Sequence, residues 1–185
     1  MSTRIILTGL SVICFGQWCA GCAAHHSAHG TSWAQVRKLV AVMTPTAGNG
    51  AKGVVSFEKV NGQIKVVAHI EGLSPNAKHA IHVHQFGDAT ASNGTSAGGH
   101  YNPEGHAHGL PATSVRHAGD LGNLTADADG NAHYEITVDN VTLAGLQNPI
   151  IGRGVIIHAK RDDGGQPTGN AGPRIAIGVI GTAKQ

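Results

Sequence analysis

The sequence predicts an all-β fold, about eight short strands closed into a sandwich or barrel, and three observations carry that reading. Apolar residues alternate with polar ones in short runs, the period of half-buried strands. Glycine supplies 27 of 185 residues, roughly twice ordinary usage, while charged residues make up only 13%. Two long stretches, Gly87–Gly119 and Lys160–Arg174, are glycine-rich and show no strand periodicity. Loops of that length inside a compact domain are usually functional.

Lys38–Met43 is the first predicted strand. Gly53–Val60 and the following run are joined by Asn61-Gly62, a pair whose backbone tolerates the left-handed conformations of a tight hairpin. In that run Ile64, Val66, Ala68 and Ile70 alternate with Lys65, Val67, His69 and Glu71. His79–Gln85 is the fourth strand. Leu121–Ala126 and Ala132–Val138 flank Asp127-Ala128-Asp129-Gly130-Asn131, which reads as a second hairpin loop. That pentapeptide has the look of a calcium loop, but its glycine spacing is wrong and the distal glutamate is missing. Gly154–Ala159 and Ile175–Gly181 complete the set. His69 and His133 fall on the polar phase of their strands and read as ordinary surface histidines.

Three regions are expected: a signal peptide over 1–22, a histidine-containing linker over 23–35, and a domain over 36–185. Arg4 precedes the apolar run Ile5–Phe15, which is too short to span a bilayer and fits a signal peptide. All three cysteines, Cys14, Cys19 and Cys22, lie in or just after it. Ala20-Gly21-Cys22 resembles the end of a bacterial lipoprotein signal, in which the cysteine is lipidated. Cys19 stands where that signal usually carries leucine, so ordinary cleavage between Ala20 and Ala24 is the alternative. Both routes export the domain to the periplasm, the first anchoring it to the membrane through Cys22. His25, His26 and His29 follow, a composition that permits metal capture and equally suits a polar linker. With a net charge of +2 and scattered Lys and Arg lacking aromatic interleaving, nothing points to a nucleic-acid partner.

The chemistry-bearing residues are histidines. His82 and His84 are two apart in an apolar strand, so both imidazoles face one side. The first long stretch and its exit add His100, His108, His117 and Asp120, and a later strand adds His158. Imidazole suits copper and zinc; four nitrogens suit Cu(II), and three imidazoles with a carboxylate suit tetrahedral Zn(II). Two such sites emerge if one histidine serves both.

Four segments carry a resemblance: His79-Ala80-Ile81-His82-Val83-His84-Gln85-Phe86-Gly87-Asp88, Ser96-Ala97-Gly98-Gly99-His100-Tyr101-Asn102-Pro103, Arg116-His117-Ala118-Gly119-Asp120-Leu121-Gly122-Asn123 and Gly169-Asn170-Ala171-Gly172-Pro173-Arg174. In order and spacing they resemble the copper–zinc superoxide dismutases, and the similarity runs from about Val36 to the C-terminus. The resemblance implies an eight-stranded Greek-key β-sandwich or barrel of immunoglobulin-like type with two long functional loops, an architecture these dismutases are known for. It implies copper on His82, His84, His100 and His158, and zinc on His100, His108, His117 and Asp120. His100 would then be the imidazolate between the metals. Spacing to His100 favours His108 over its neighbour His106, which is left as a stray ligand.

The implied activity is disproportionation of superoxide to dioxygen and hydrogen peroxide, protecting the cell envelope. His100 would carry a proton and Arg174 would hold the anion. Asp162 would bond the free nitrogens of His82 and His108 and fix those rings. His79 would be a framework residue and Asp163 a solvated one.

Two departures stand out. The family's loop-to-strand disulfide is missing: Ile177 stands where one cysteine is expected and the Ser92–Gly94 region lacks the other. The His158–Arg174 loop is short and poor in the charges that steer superoxide. A rival reading is an exported copper- and zinc-binding protein for metal buffering or delivery. Alternating strand faces name no partner patch, so a monomer and a homodimer both fit.

Overall fold

The computed structural model describes residues 33–184. The predicted signal segment with its cysteines, and the His25/His26/His29 tract, lie outside the described residues.

Eight strands form: β1 Lys38–Pro45, β2 Lys52–Val60, β3 Gln63–Glu71, β4 Lys78–His84, β5 Asp120–Thr125, β6 Ala132–Val138, β7 Gly154–His158 and β8 Arg174–Thr182. They pair antiparallel in the order β5-β4-β7-β8-β1-β2-β3-β6. The chain passes between the two halves of that order after β3, β5 and β6, a Greek-key path. Tyr134 Oη on β6 donates to the Leu121 carbonyl on β5 at 2.6 Å, drawing the two ends of the order together into a nearly closed barrel.

Alternation places the core as expected. Leu39, Ala41 and Met43, Val55 and Phe57, and Ile64, Val66 and Ala68 share one buried cluster with Ile81, Val83, Val155 and Ile157. Full burial of each large side chain contributes about 1.5–3 kcal/mol. The β2–β3 hairpin turns at Asn61 and Gly62 with φ of 50 and 85, the left-handed pair the sequence calls for.

One reading needs correction and one segment was unassigned. Asp127–Asn131 is a tight turn, with Asp127 Oδ1 accepting from the amides of Asp129 and Asn131, but it joins no hairpin. β5 pairs with β4 and β6 with β3. The turn is held instead by the β3–β4 connection, Leu73 N donating to Gly130 O and Asn76 N to Asp127 O. The unassigned segment is Asp139–Arg153. It is irregular, yet its Val141, Leu143 and Ile150 are buried in the main core.

β4 is buried from His79 to His84 on both faces. Ile81 and Val83 enter the core, while the opposite face, bearing His82 and His84, is covered by the first long loop. That loop is stitched down by backbone bonds: Gln85 N to Gly99 O, Tyr101 N to Val83 O and Val83 N to Gly119 O. A Cβ on Gly119 would fall 2.2 Å from the Val83 carbonyl, so only glycine allows this approach.

Candidate metal centre

Strand pairing does most of the assembly. His82 is the register partner of Asp120, His158 of Arg174, and His84 forms an isolated bridge with His100. The ladder is irregular beside His82 and again at His158. Such bulges re-aim side chains next to sites. As a result His82, His84, His100 and His158 bring donor atoms within 4.8 Å of one another, and so do His100, His108, His117 and Asp120. All seven residues are buried.

Hydrogen bonds decide which ring nitrogen each histidine leaves bare. His84 Nδ1 donates to Gly98 O at 3.0 Å and His158 Nδ1 to Gly172 O at 3.0 Å. Their Nε2 atoms therefore face each other unprotonated, 3.4 Å apart. His82 Nε2 and His108 Nε2 each donate to Asp162, at 2.9 Å to Oδ2 and Oδ1 respectively. That leaves Nδ1 of both rings as lone pairs. His100 Nδ1 lies 3.0 Å from Asp120 Oδ1 and 3.3 Å from His117 Nδ1, so its Nε2 remains for the first group.

The donors fit metal ions better than they fit one another. His82 Nδ1 is buried without a hydrogen-bond partner, and His108 Nδ1, 3.0 Å from Asp120 Oδ2, is satisfied only when it carries a proton or a metal. A buried polar atom left unpaired costs about 1–3 kcal/mol, a penalty a shared cation removes. The first group offers four nitrogens, the set copper favours, and the second three nitrogens and a carboxylate, the set of a tetrahedral zinc site.

Electrostatics sharpens the difference. Burial drives His82 down to about 4 against its bond to Asp162, and also lowers His158 to about 3 and His84 to about 2. All three are neutral at physiological pH, the form that ligates. Burial opposes protonation of His108 too, but there the bonds to Asp120 and Asp162 prevail and hold it up at about 9. Asp120 and Asp162 resist their own burial: bonds from His100 and His108 hold the first, and from His108 and His82 the second, well below the usual carboxylate range. The second group thus demands positive charge, which a metal supplies in place of the proton.

Several supports were given no role by the sequence reading. Gln166 clamps His108 from both sides, accepting from its amide at 3.1 Å and donating to its carbonyl at 2.8 Å. The amides of Gly109 and His117 both donate to Asp120 Oδ2 at 3.0 Å. Asn123 holds the Asp162 backbone through two bonds of 2.7 and 3.0 Å. Gly169, at φ +75, is where a Cβ would lie 2.1 Å from Asp162 Oδ1. A glycine in this loop needs both the conformation and the space.

The remaining sequence candidates fall as follows. Arg174 donates through Nη1 to Gly94 O and through Nη2 to Gly98 O, the same carbonyl that holds His84. His79 is buried and donates from Nδ1 to His158 O at 2.9 Å. His106 is exposed, bonds to Arg116 O and lies outside both groups. Asp163 is exposed and capped by Asn170.

A sequence profile described as copper/zinc superoxide dismutase matches residues 51–180. Among named relatives, the chain is 50% identical over 141 residues to a copper–zinc superoxide dismutase of Schizosaccharomyces pombe, covering 71% of this chain and 90% of the relative. It is 44% identical over 162 residues to one from Paramecium bursaria Chlorella virus 1, covering 84% and 85%. An extracellular superoxide dismutase of Brugia pahangi is 42% identical over 152 residues, covering 76% and 74%.

Proposed function

The chain belongs to the copper–zinc superoxide dismutase family, and from that premise we propose that His82, His84, His100 and His158 hold copper while His100, His108, His117 and Asp120 hold zinc. Its activity is the disproportionation of superoxide to dioxygen and hydrogen peroxide. One observation supports the assignment of ligands above the rest. His100 is common to both groups, with Nδ1 among the zinc donors and Nε2 left for copper.

Bound copper supplies the one-electron exchange with superoxide, and d¹⁰ zinc supplies charge without redox chemistry. Everything else falls to the chain. His100 Nε2 is the atom that can hold a proton and give it up to the peroxide product. Asp162 keeps the His82 and His108 protons on Nε2, so that Nδ1 of each ring stays available. Gly98 O and Gly172 O do the same for His84 and His158 in the opposite sense. Arg174 is fixed beside His84 by the Gly98 carbonyl they share and offers the anionic substrate a permanent cation.

The ligand assignment is tested with His100→Ala and His84→Ala. The first removes a donor from each site and weakens both metals; the second spares zinc and weakens copper. Metal content after dialysis reads the outcome, and normal zinc with full activity in His100→Ala would refute the bridged centre.

We place this activity in the bacterial periplasm, protecting the envelope, on the strength of the signal-like segment at residues 1–22. Lipidation at Cys22 would anchor the enzyme to the membrane. Lipid labelling of wild type against Cys22→Ser tests it, and wild-type protein free of lipid would favour ordinary cleavage. Sedimentation of the metal-loaded protein separates monomer from homodimer.

A further inference from the structure

We propose that His69 and His133 form a further transition-metal site, outside the two groups above, for a borderline divalent cation such as Cu(II), Zn(II) or Ni(II). The two are register partners across β3 and β6, exposed on the outer face of the sheet. Their Nδ1 atoms are 3.2 Å apart, with ring centroids at 4.5 Å and planes tilted by 40°. Two bonds of about 2.0–2.1 Å to one ion set the nitrogens about 2.9 Å apart at a right angle and about 3.4 Å apart at the tetrahedral angle. The observed spacing lies between those limits, so an ion can bind with little movement of either ring.

The surroundings favour a cation. Glu135 Oε1 lies 3.5 Å from His133 Nε2, while Lys65 holds the other carboxylate oxygen at 2.9 Å. That negative charge favours a cation at the pair, where the hydrogen bond between the two Nδ1 atoms gives way to the ion. Both rings stand on paired strands instead of loops, so little ordering cost accompanies binding. The pair borders a surface depression of about 470 Å³ shared with Gly53, Val54, Asp127 and Asn131, which leaves room for waters to complete the coordination. Among divalent ions, the ordinary affinity series puts Cu(II) first, with Ni(II) a usable probe.

The experiment is Ni(II) titration of the copper- and zinc-loaded protein, followed by calorimetry and by line broadening of histidine ring protons. Wild type binds Ni(II) with broadening at His69 and His133. His69→Gln and His133→Gln each weaken that event roughly tenfold or more, with superoxide consumption and thermal midpoint unchanged because neither residue belongs to the seven-ligand centre. Wild-type Ni(II) affinity and stoichiometry in both variants would overturn the site. So would broadening confined to the His25/His26/His29 tract.

Discussion

Replacing Asp162 by asparagine changes a single charge and should uncouple the two metals unequally. The carboxylate accepts three bonds: from His82 on Oδ2, and from His108 and the Gly164 amide on Oδ1. Asparagine keeps one acceptor oxygen and gains a donor NH₂. Two N–H groups converge on the Oδ1 side, so the amide oxygen belongs there and the NH₂ faces His82. Two donors then oppose each other in a fully buried position. His82 must move its proton from Nε2 to Nδ1, the nitrogen a metal needs bare, or leave a donor unpaired at about 1–3 kcal/mol. At about 1.4 kcal/mol per decade, copper affinity should fall about 10–100-fold, the range seen when groups orienting metal ligands are removed. Zinc should weaken less, since the His108 bond survives. Chelator competition, metal by metal on the stripped protein, reads both constants. Wild-type copper affinity in Asp162→Asn, or a loss that falls on zinc and spares copper, would refute this account of the carboxylate.

The metal-free domain should be most stable near pH 6.5. Below that value the unfolded chain protonates His82, His84 and His158 while the folded chain, with values of about 4, 2 and 3, does not; stability then falls with acid by up to about 4 kcal/mol per pH unit. Above it the contribution of His108, raised to about 9, is progressively lost as pH rises through that value; a flat thermal midpoint from pH 5 to 9 in chelator would contradict both halves. Reductant should leave the metal-loaded midpoint unchanged, because no cysteine follows Cys22, while chelation should lower it strongly; a reductant-induced drop would count against this. Arg174→Ile should cut the second-order rate and flatten its ionic-strength dependence with both metals bound, and Arg174→Lys should retain more activity; an unchanged rate and salt slope in Arg174→Ile would remove Arg174 from substrate attraction.

What the sequence made legible was whatever has a local signature. Period-two alternation put the strands within a residue or two of their positions, because each inner residue enters the same core. The Asn61-Gly62 turn was legible because two consecutive left-handed residues admit few sequences. The seven clustered residues stood out because histidines recur in order through the first long loop, and His82-Val83-His84 on a strand turns two rings to one face. Turn chemistry at Asp127–Asn131, by contrast, says that the chain reverses and not which strands then pair, so the crossing from β5 to β6 was invisible. The clamps were hidden for a related reason. Gln166 meets His108 across 58 positions, and a side chain bonding to backbone leaves no periodic trace. In Asp139–Arg153 the buried Val141, Leu143 and Ile150 are too irregularly spaced to betray an inward face.

Where the resemblance implies a loop-to-strand disulfide, β8 carries Ile177, and noncovalent contacts join loop to strand there. Ile177 is 4% exposed and packs with Ala97 of the metal-bearing loop and Ile156 of β7 in a small cluster of their own. Burying one isoleucine contributes about 1.5–3 kcal/mol, comparable to the roughly 2–4 kcal/mol of a typical cross-link. The two act on different states, however. A disulfide restricts the unfolded chain, whereas the apolar cluster stabilises the folded one only while loop and strand are in register. Register is therefore enforced by directional bonds around the cluster. Thr46 Oγ1 donates to Arg174 O at 2.7 Å, Ala47 N to Ser92 O at 2.8 Å, and the Arg174 guanidinium to Gly94 and Gly98. Because Gly98 O also fixes the His84 ring, the contacts that join loop to strand also aim the proposed copper donor, and a loop loosened at Ile177 should first show itself as weaker copper binding.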